Sequence, residues 1–311
     1  MGYGQGINAV LNAAFESPYG TTPGSGFMKL PFVSHSLGEV RGLLEDDQLG
    51  FGREGLDPSQ DVANNDGDVT VPVDVTAIGF WLKAMFGSPV TTGSAPYTHV
   101  FTSGAAALPS LSIEVGSPDV PSFSTHYGAV ANQMRIALAR SGNLNAVISL
   151  VAQGETDEDD ESVAGTPTSL AGARFAQATG GIKKDGATLG AVVSAELAIS
   201  NNLDKLEVIR SDGRIDGALP GVVSGNIRIE TRFNSLALYE AATDGTPVAL
   251  EIGWTKGPSS LKFAFPRVFL PRPKKPITGP RGIMSTFECQ AAALPGAHKV
   301  TATLINATAS Y

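Results

Sequence analysis

Apolar and polar residues alternate in several short stretches of this chain. In residues 69–75 (VTVPVDV), Val69, Val71, Val73 and Val75 point one way, and Thr70, Pro72 and Asp74 the other. Leu111, Ile113 and Val115 stand opposite Ser110, Ser112 and Glu114, and residues 133–138 (QMRIAL) alternate in the same manner. The pattern returns at Val193/Ala195/Leu197/Ile199, Ile227/Ile229/Thr231/Phe233, Val248/Leu250/Ile252/Trp254 and Leu261/Phe263/Phe265. Period two with one apolar face predicts half-buried antiparallel strands, whose polar sides meet water or a partner.

Two segments predict helix instead. In residues 76–86 (TAIGFWLKAMF), Ile78, Trp81, Leu82 and Met85 fall at helical spacing, with Thr76 as the expected N-cap and Gly87 as the stop. Residues 235–244 (SLALYEAATD) follow, with Asn234 as the cap and Gly245 as the stop. The two helices belong to an internal repeat. Residues 69–90 align without a gap on 227–248 at an offset of 158, with identities at Ala84/Ala242, Gly87/Gly245, Pro89/Pro247 and Val90/Val248. Class is also kept at Val69/Ile227, Ile78/Leu236, Phe80/Leu238 and Trp81/Tyr239. An offset near half of 311 residues predicts two whole domains, 1–160 and 161–311, rather than a solenoid of short repeats. The boundary is placed in the acidic, then small and polar, stretch 155–172.

Each repeat unit is preceded by a long polar, glycine-rich stretch, 45–68 and 210–226. Loops of that length in ordered domains usually serve a function. The 36 glycines and 20 prolines are scattered between short apolar runs, which fits a chain of many strands. Net charge is −8, against the basic excess of proteins that grip nucleic acid. One cysteine, Cys289, excludes an intrachain disulfide and a multi-cysteine zinc site. No apolar run is long enough to span a membrane, and residues 1–20 lack a basic and apolar leader, so a soluble, non-secreted protein is expected.

Candidate chemistry is sparse. His35, His99, His126 and His298 are far apart and not in metal-ligand spacing, and no G-x-S-x-G elbow supports a catalytic serine. No enzyme activity, cofactor or metal is expected. Asn64-Asn65-Asp66-Gly67-Asp68 has alternate oxygen ligands around a glycine, as a calcium loop has, but no Glu stands at the twelfth loop position, and the stretch is read as a turn entering a strand. The acidic run 155–162 is read as a solvated loop, with a cation site or a basic partner as the alternative. PRPKKP (271–276), with Arg281 beyond, is the dense basic spot. It either stiffens a connection between strands or pairs with an acidic surface on a neighbouring copy, and its PxxP spacing also suits an SH3 groove. Helix 76–86 is apolar nearly all round, which requires burial on several sides. Ile78, Phe80, Trp81, Leu82, Met85 and Phe86 are therefore candidates for a domain or subunit interface, with a plain core helix as the alternative. In the matching helix, Glu240, Thr243 and Asp244 replace Leu82, Met85 and Phe86.

A resemblance runs from end to end. FESPYGTTPGSGFMKLPF (15–32), LLEDDQLGFGREGLDPSQDV (43–62), GDVTVPVDVTAIGFWLKAMFGSP (67–89), YTHVF (97–101), VIRSDGRIDG (208–217) and VFLPRPKKPITGP (268–280) resemble the tail tube (major tail) proteins of phages with long, non-contractile tails. The resemblance implies a β-sandwich with a flanking helix, and rings whose sheets join around a channel. Stacked rings would carry genomic DNA into the host without sequence-specific binding. It also implies a place in the virion after assembly in the host cytoplasm, with tape measure, tail terminator and distal tail proteins as partners. With two domains per chain, three chains make a pseudo-sixfold ring; a hexamer is the alternative. Glu45, Asp46, Asp47, Arg53 and Glu54 in one long loop, and Arg210, Asp212, Arg214 and Asp216 in the other, are the candidates for contacts between rings. Glu196, Arg228, Glu230 and Arg232 are the candidates for the channel wall. The rival reading is a virion-surface or carbohydrate-binding β-sandwich module, which would display aromatic platforms on its loops.

Overall fold

A computed structural model describes residues 3–311 except 235, 278 and 281, so the expected roles of Ser235 in the second helix and Arg281 in the basic spot lie outside the described residues. The alternating stretches form strands, as β-branched and aromatic side chains favour. The first half contains β1 (Val10–Phe15), β2 (Met28–Lys29), β3 (Ser34–His35), β4 (Gly38–Leu44), β5 (Ser59–Pro72) and α1 (Ile78–Phe86). It continues with β6 (Val90–Thr92), β7 (Tyr97–Thr102), β8 (Leu111–Gly116), β9 (Phe123–Leu138), β10 (Asn145–Ala152) and β11 (Gly154–Glu155). The second half contains β12 (Thr168–Ser169), β13 (Gly180–Lys184), β14 (Ala187–Thr188), β15 (Val192–Ser200), β16 (Asp204–Lys205), β17 (Ala218–Leu219) and β18 (Ser224–Arg232). It ends with α2 (Ala237–Asp244), β19 (Val248–Lys256), β20 (Ser259–Phe269), β21 (Met284–Ala291) and β22 (Thr301–Asn306). The fold is mainly β, a sandwich with two short helices among the described residues.

Each half has two layers around a common core. In the first, β1–β8–β9–β11 makes one layer and β4–β5–β10–β9 the other, because the long β9 leaves one and enters the other through register shifts. In the second, β13–β19–β20–β22 and β15–β18–β21–β20 are arranged likewise. The halves are then fused edge to edge, since residues 133–138 of β9 pair antiparallel with 195–200 of β15. They also exchange small elements: the β6–β7 hairpin extends the far layer through β22, and β12 pairs with β2. Leu11, Ile113, Val71, Ile148, Leu197, Ile227, Trp254, Phe263 and Phe287 belong to one continuous buried cluster.

Several local expectations are corrected. The cap of α1 is Asp74 rather than Thr76: its Oδ1 accepts the N–H groups of Thr76 (2.8 Å), Ala77 (2.5 Å) and Ile78 (3.4 Å), a reach that a residue two positions earlier gains from the tight turn there. The residue at the cap of α2 is Leu236 rather than Asn234, and it makes no side-chain cap. Gly87 and Gly245 do end the helices, both at positive φ. Residues 64–68 lie inside β5, neither a calcium loop nor a turn, and Asn65 is buried there. A Cβ on Gly67 would overlap the backbone of Ser36, so this glycine lets β3 approach β5. A bulge between Val192 and Ser194 turns Val193 outward. Glu114 is fully buried rather than wet, bonded by Asn12 Nδ2 (2.8 Å), Ser162 Oγ (2.8 Å) and the Val163 N–H (2.6 Å). The long loops are shorter than 45–68 and 210–226, because β5 starts at Ser59, β17 takes Ala218–Leu219 and β18 starts at Ser224. Beyond Gly87 and Gly245 the sequence repeat joins strands that pair differently, since Val90 opens the extra β6–β7 hairpin while Val248 opens β19.

Candidate assembly surfaces

The fusion of β9 to β15 makes one wide layer in the order β4–β5–β10–β9–β15–β18–β21. Its core face carries Leu197, Ile199, Ile227, Ile229, Phe287 and Cys289, all buried. Burial pushes the Cys289 thiol up to about 12. Alternation puts the opposite residues on the other face. There Ala137, Glu196, Arg228 and Glu288 stand in one row, and Ser194, Glu230 and Thr286 in the next. The four channel-wall candidates, Glu196, Arg228, Glu230 and Arg232, therefore share a single face. Arg228 pairs with Glu288 (3.4 Å) and Arg135 with Asp68 (3.5 Å), and Ser194 Oγ donates to Glu230 (2.9 Å).

The first long loop projects from the β4–β5 hairpin. Glu45, Asp47, Arg53 and Glu54 are exposed, and Asp46 is half-buried, accepting the Gln48 N–H (2.8 Å). Val40, Leu43, Leu44, Leu49, Phe51, Leu56 and Val62 are exposed on the same arm. Such a concentration of apolar side chains marks an interaction surface.

The second loop behaves differently. Arg210 holds Asp212 (3.0 and 2.9 Å) and Asp216 (2.6 Å), which fixes the turn and keeps the Asp212 carboxyl far below the usual carboxylate range. Arg214 points back into the first half. Its guanidinium grips Glu39 through Nε (2.8 Å) and Nη2 (3.0 Å), and Nη2 also reaches the Glu155 carbonyl (3.1 Å). The neighbouring Gly213 carbonyl accepts the Ala63 N–H (2.9 Å). Burial alone would raise the Glu39 carboxyl, but hydrogen bonds from Arg214, Arg41 and the Glu155 N–H hold it below its ordinary value. Close by, His126 is buried and accepts at Nδ1 from Asn65 Nδ2 (3.1 Å); burial lowers its pKa against the opposing pull of Glu155.

Ile78, Phe80, Trp81, Leu82, Met85 and Phe86 of α1 are each at most 4% exposed within a single chain. The first half contributes Phe15, whose ring lies 4.6 Å from that of Phe80. The second contributes Asn201, donating to the Met85 carbonyl (3.0 Å), and Tyr311, whose ring packs on Gly79 and whose hydroxyl donates to the Thr76 carbonyl (2.8 Å). The surplus apolar surface of α1 is thus taken up where the two halves meet. On α2 only Leu238 is buried, so the polar substitutions there face outward.

Among the described residues, no three His, Cys, Asp or Glu side chains converge as a metal-holding group, and no helix is long and apolar enough to cross a membrane. The phage tail tube protein family matches residues 6–291, nearly the whole chain. The chain belongs to the phage tail tube protein family. Membership gives this tail tube protein a structural role in the virion, assembled from copies of itself. No curated protein sequence matches it. Sequence reasoning missed the Arg214–Glu39 clamp. The loop marks Arg214 as a candidate, but nothing in the spacing of residues 175 positions apart links it to Glu39.

Proposed function

We propose that this tail tube protein forms rings that stack into a hollow conduit for genomic DNA, with the polar face of the wide layer lining the channel. The observation that carries the reading is that layer itself: two sandwiches already fused into one sheet, with an apolar side toward the core and a polar, mixed-sign side toward solvent. Residues 1–160 and 161–311 are proposed as copies of one unit, because the same order of pairings recurs in each half. Three chains then supply six units and close a pseudo-sixfold ring; a head-to-tail contact closes when its rotation does. On the channel wall the carboxylates of Glu196, Glu230, Glu288, Asp66 and Asp68 outnumber the cations of Arg135, Arg228 and Arg232, and the excess negative charge repels phosphates, so DNA slides instead of sticking. Loop 45–58 is proposed to reach the next ring, together with the exposed tip at Val208 and Ile209. Tape measure, terminator and distal tail proteins are the partners at the tube's axis and ends, and assembly takes place in the host cytoplasm.

The sugar-binding alternative gains nothing from the tryptophans, since Trp81 and Trp254 are each 1% exposed and offer no platform. Electron microscopy with averaging, on concentrated protein or on extracts containing the other tail proteins, tests the proposal. Hollow tubes with three chains per ring are expected. Six chains per ring would keep the conduit and remove the two-unit stoichiometry, whereas discrete particles under every condition would overturn the reading.

A further inference from the structure

The wide layer ends, at both sides, in backbone that has no partner strand among the described residues. One end is the line 33–38, which pairs with β5 alone; the other is the segment 269–274, which runs on from the last pairing of β20 with β21 at Phe269. The chain contains a template for what such ends do. At the internal joint Gln133 of β9 lies opposite Ser200 of β15. Gly38 is the counterpart of Ser200, because Gly38 pairs with Asp66, Ser200 pairs with Ser224, and Asp66 and Ser224 are 158 apart. Phe269 is the counterpart of Gln133. Gln133 reaches Asp68 through Ser149, Phe269 reaches Asn226 through Gln290, and Asp68 and Asn226 are again 158 apart.

Resting on the ring reading above, we propose that residues 269–274 of one copy pair antiparallel with residues 33–38 of a second copy, with Phe269 opposite Gly38 and Arg272 opposite His35. The prolines fit this assignment. The Arg267 carbonyl accepts the Ala292 N–H (2.8 Å), so odd-numbered residues of this strand turn toward β21 and even-numbered ones toward the open edge. Pro271 and Pro273 therefore lack their N–H on the side away from the edge, while Leu270, Arg272 and Lys274 keep theirs facing it. Val33 and His35 are exposed, whereas their counterparts at the internal joint, Ala195 and Leu197, are buried; Leu37, the counterpart of Ile199, is buried already. The open edge also stops where the register requires. The next residue, Glu39, is already occupied, its N–H donating to Glu155 (2.7 Å) and its carboxylate held by Arg214. Proline and lysine along 271–276 deter unregistered pairing, a common protection of exposed edges.

Cysteine pairs in the full chain test the register. Opposed residues of antiparallel strands have Cα atoms about 4.5–5.5 Å apart, within disulfide reach, and the native Cys289 is buried and does not compete. Oxidation of H35C/R272C under tube-forming conditions is expected to give a closed covalent ring. S36C/R272C, whose side chains lie on opposite faces, and each single variant are expected to give none. As a second measure, R272P removes an edge N–H and is expected to raise the concentration needed for tubes about tenfold. P271R, which alters the other side, is expected to leave that concentration unchanged. Linkage of S36C/R272C in place of H35C/R272C overturns the register. Tubes that carry neither link overturn the edge assignment and leave the conduit standing; a chain that forms no tubes and no link overturns both.

Discussion

Arg214 is where the second half grips the first through charge. Its side chain is 19% exposed and that of Glu39 12%, so removing either leaves the other desolvated and unpaired. Arg214→Ala is expected to cost about 2–3 kcal/mol in urea unfolding, in keeping with hydrogen bonds to charged groups. The pH dependence has a definite sign. The Glu39 carboxyl titrates below its ordinary value of 4.5 in the folded chain, so its contribution is complete above that value and is lost as pH falls through the lower folded value. Urea midpoints measured from pH 6 downward are expected to fall more steeply for the wild type than for Glu39→Gln across that window. Parallel curves would remove the clamp from the account. Asp74 is the other residue whose role exceeds its size, since one oxygen satisfies the start of α1. Asp74→Ala is expected to cost about 1–2 kcal/mol and Asp74→Asn, which keeps an acceptor, less.

At the scale of elements, α1 acts as the wedge between the halves. Its glycine illustrates the constraint. Gly79→Ala improves intrinsic helix propensity by about 1 kcal/mol, yet a Cβ there would overlap the Tyr311 ring. Overpacking is expected to win, with a net loss of about 1–3 kcal/mol in thermal or urea unfolding. The combination with Tyr311→Ala is expected to recover part of it, because the obstructing ring is gone. β5 shows how far alternation reaches. Val69, Val71 and Val73 were legible as core from their period, and are at most 1% exposed. Asn65, six residues before Val71 on the same face, is equally buried but polar, so the pattern could not announce it. Glu114 was unreadable for a related reason: the segment that covers it, 162–164, is remote in sequence.

At the scale of the molecule, the exposed arm and the fused layer have separable roles. Replacing residues 46–56 by a short turn touches no buried side chain, so the unfolding free energy is expected to stay within about 0.5 kcal/mol of wild type. Tube growth in electron micrographs is expected to fail, if the arm reaches the next ring. Tubes of normal length from that variant would remove the loop from the inter-ring contact. The six apolar side chains of α1, legible as surplus, turned out to be consumed inside one chain; the free apolar surface lies on the arm instead, at Leu43, Leu44, Leu49 and Phe51.

By itself the sequence determined the class of element where apolar residues keep a period, because strand and helix leave different periods in their order; the polar start of β5, residues 59–68, leaves none. It also determined the repeat of strand, helix and glycine stop, and the absence of a disulfide, because each is a property of local order or composition. Only the tertiary structure decided which edges meet. The β9–β15 fusion, the β7–β22 exchange and the Arg214–Glu39 clamp join residues far apart in the chain. Backbone hydrogen bonds and ion pairs depend on where the chain returns in space, and neither leaves a periodic trace in the order of side chains.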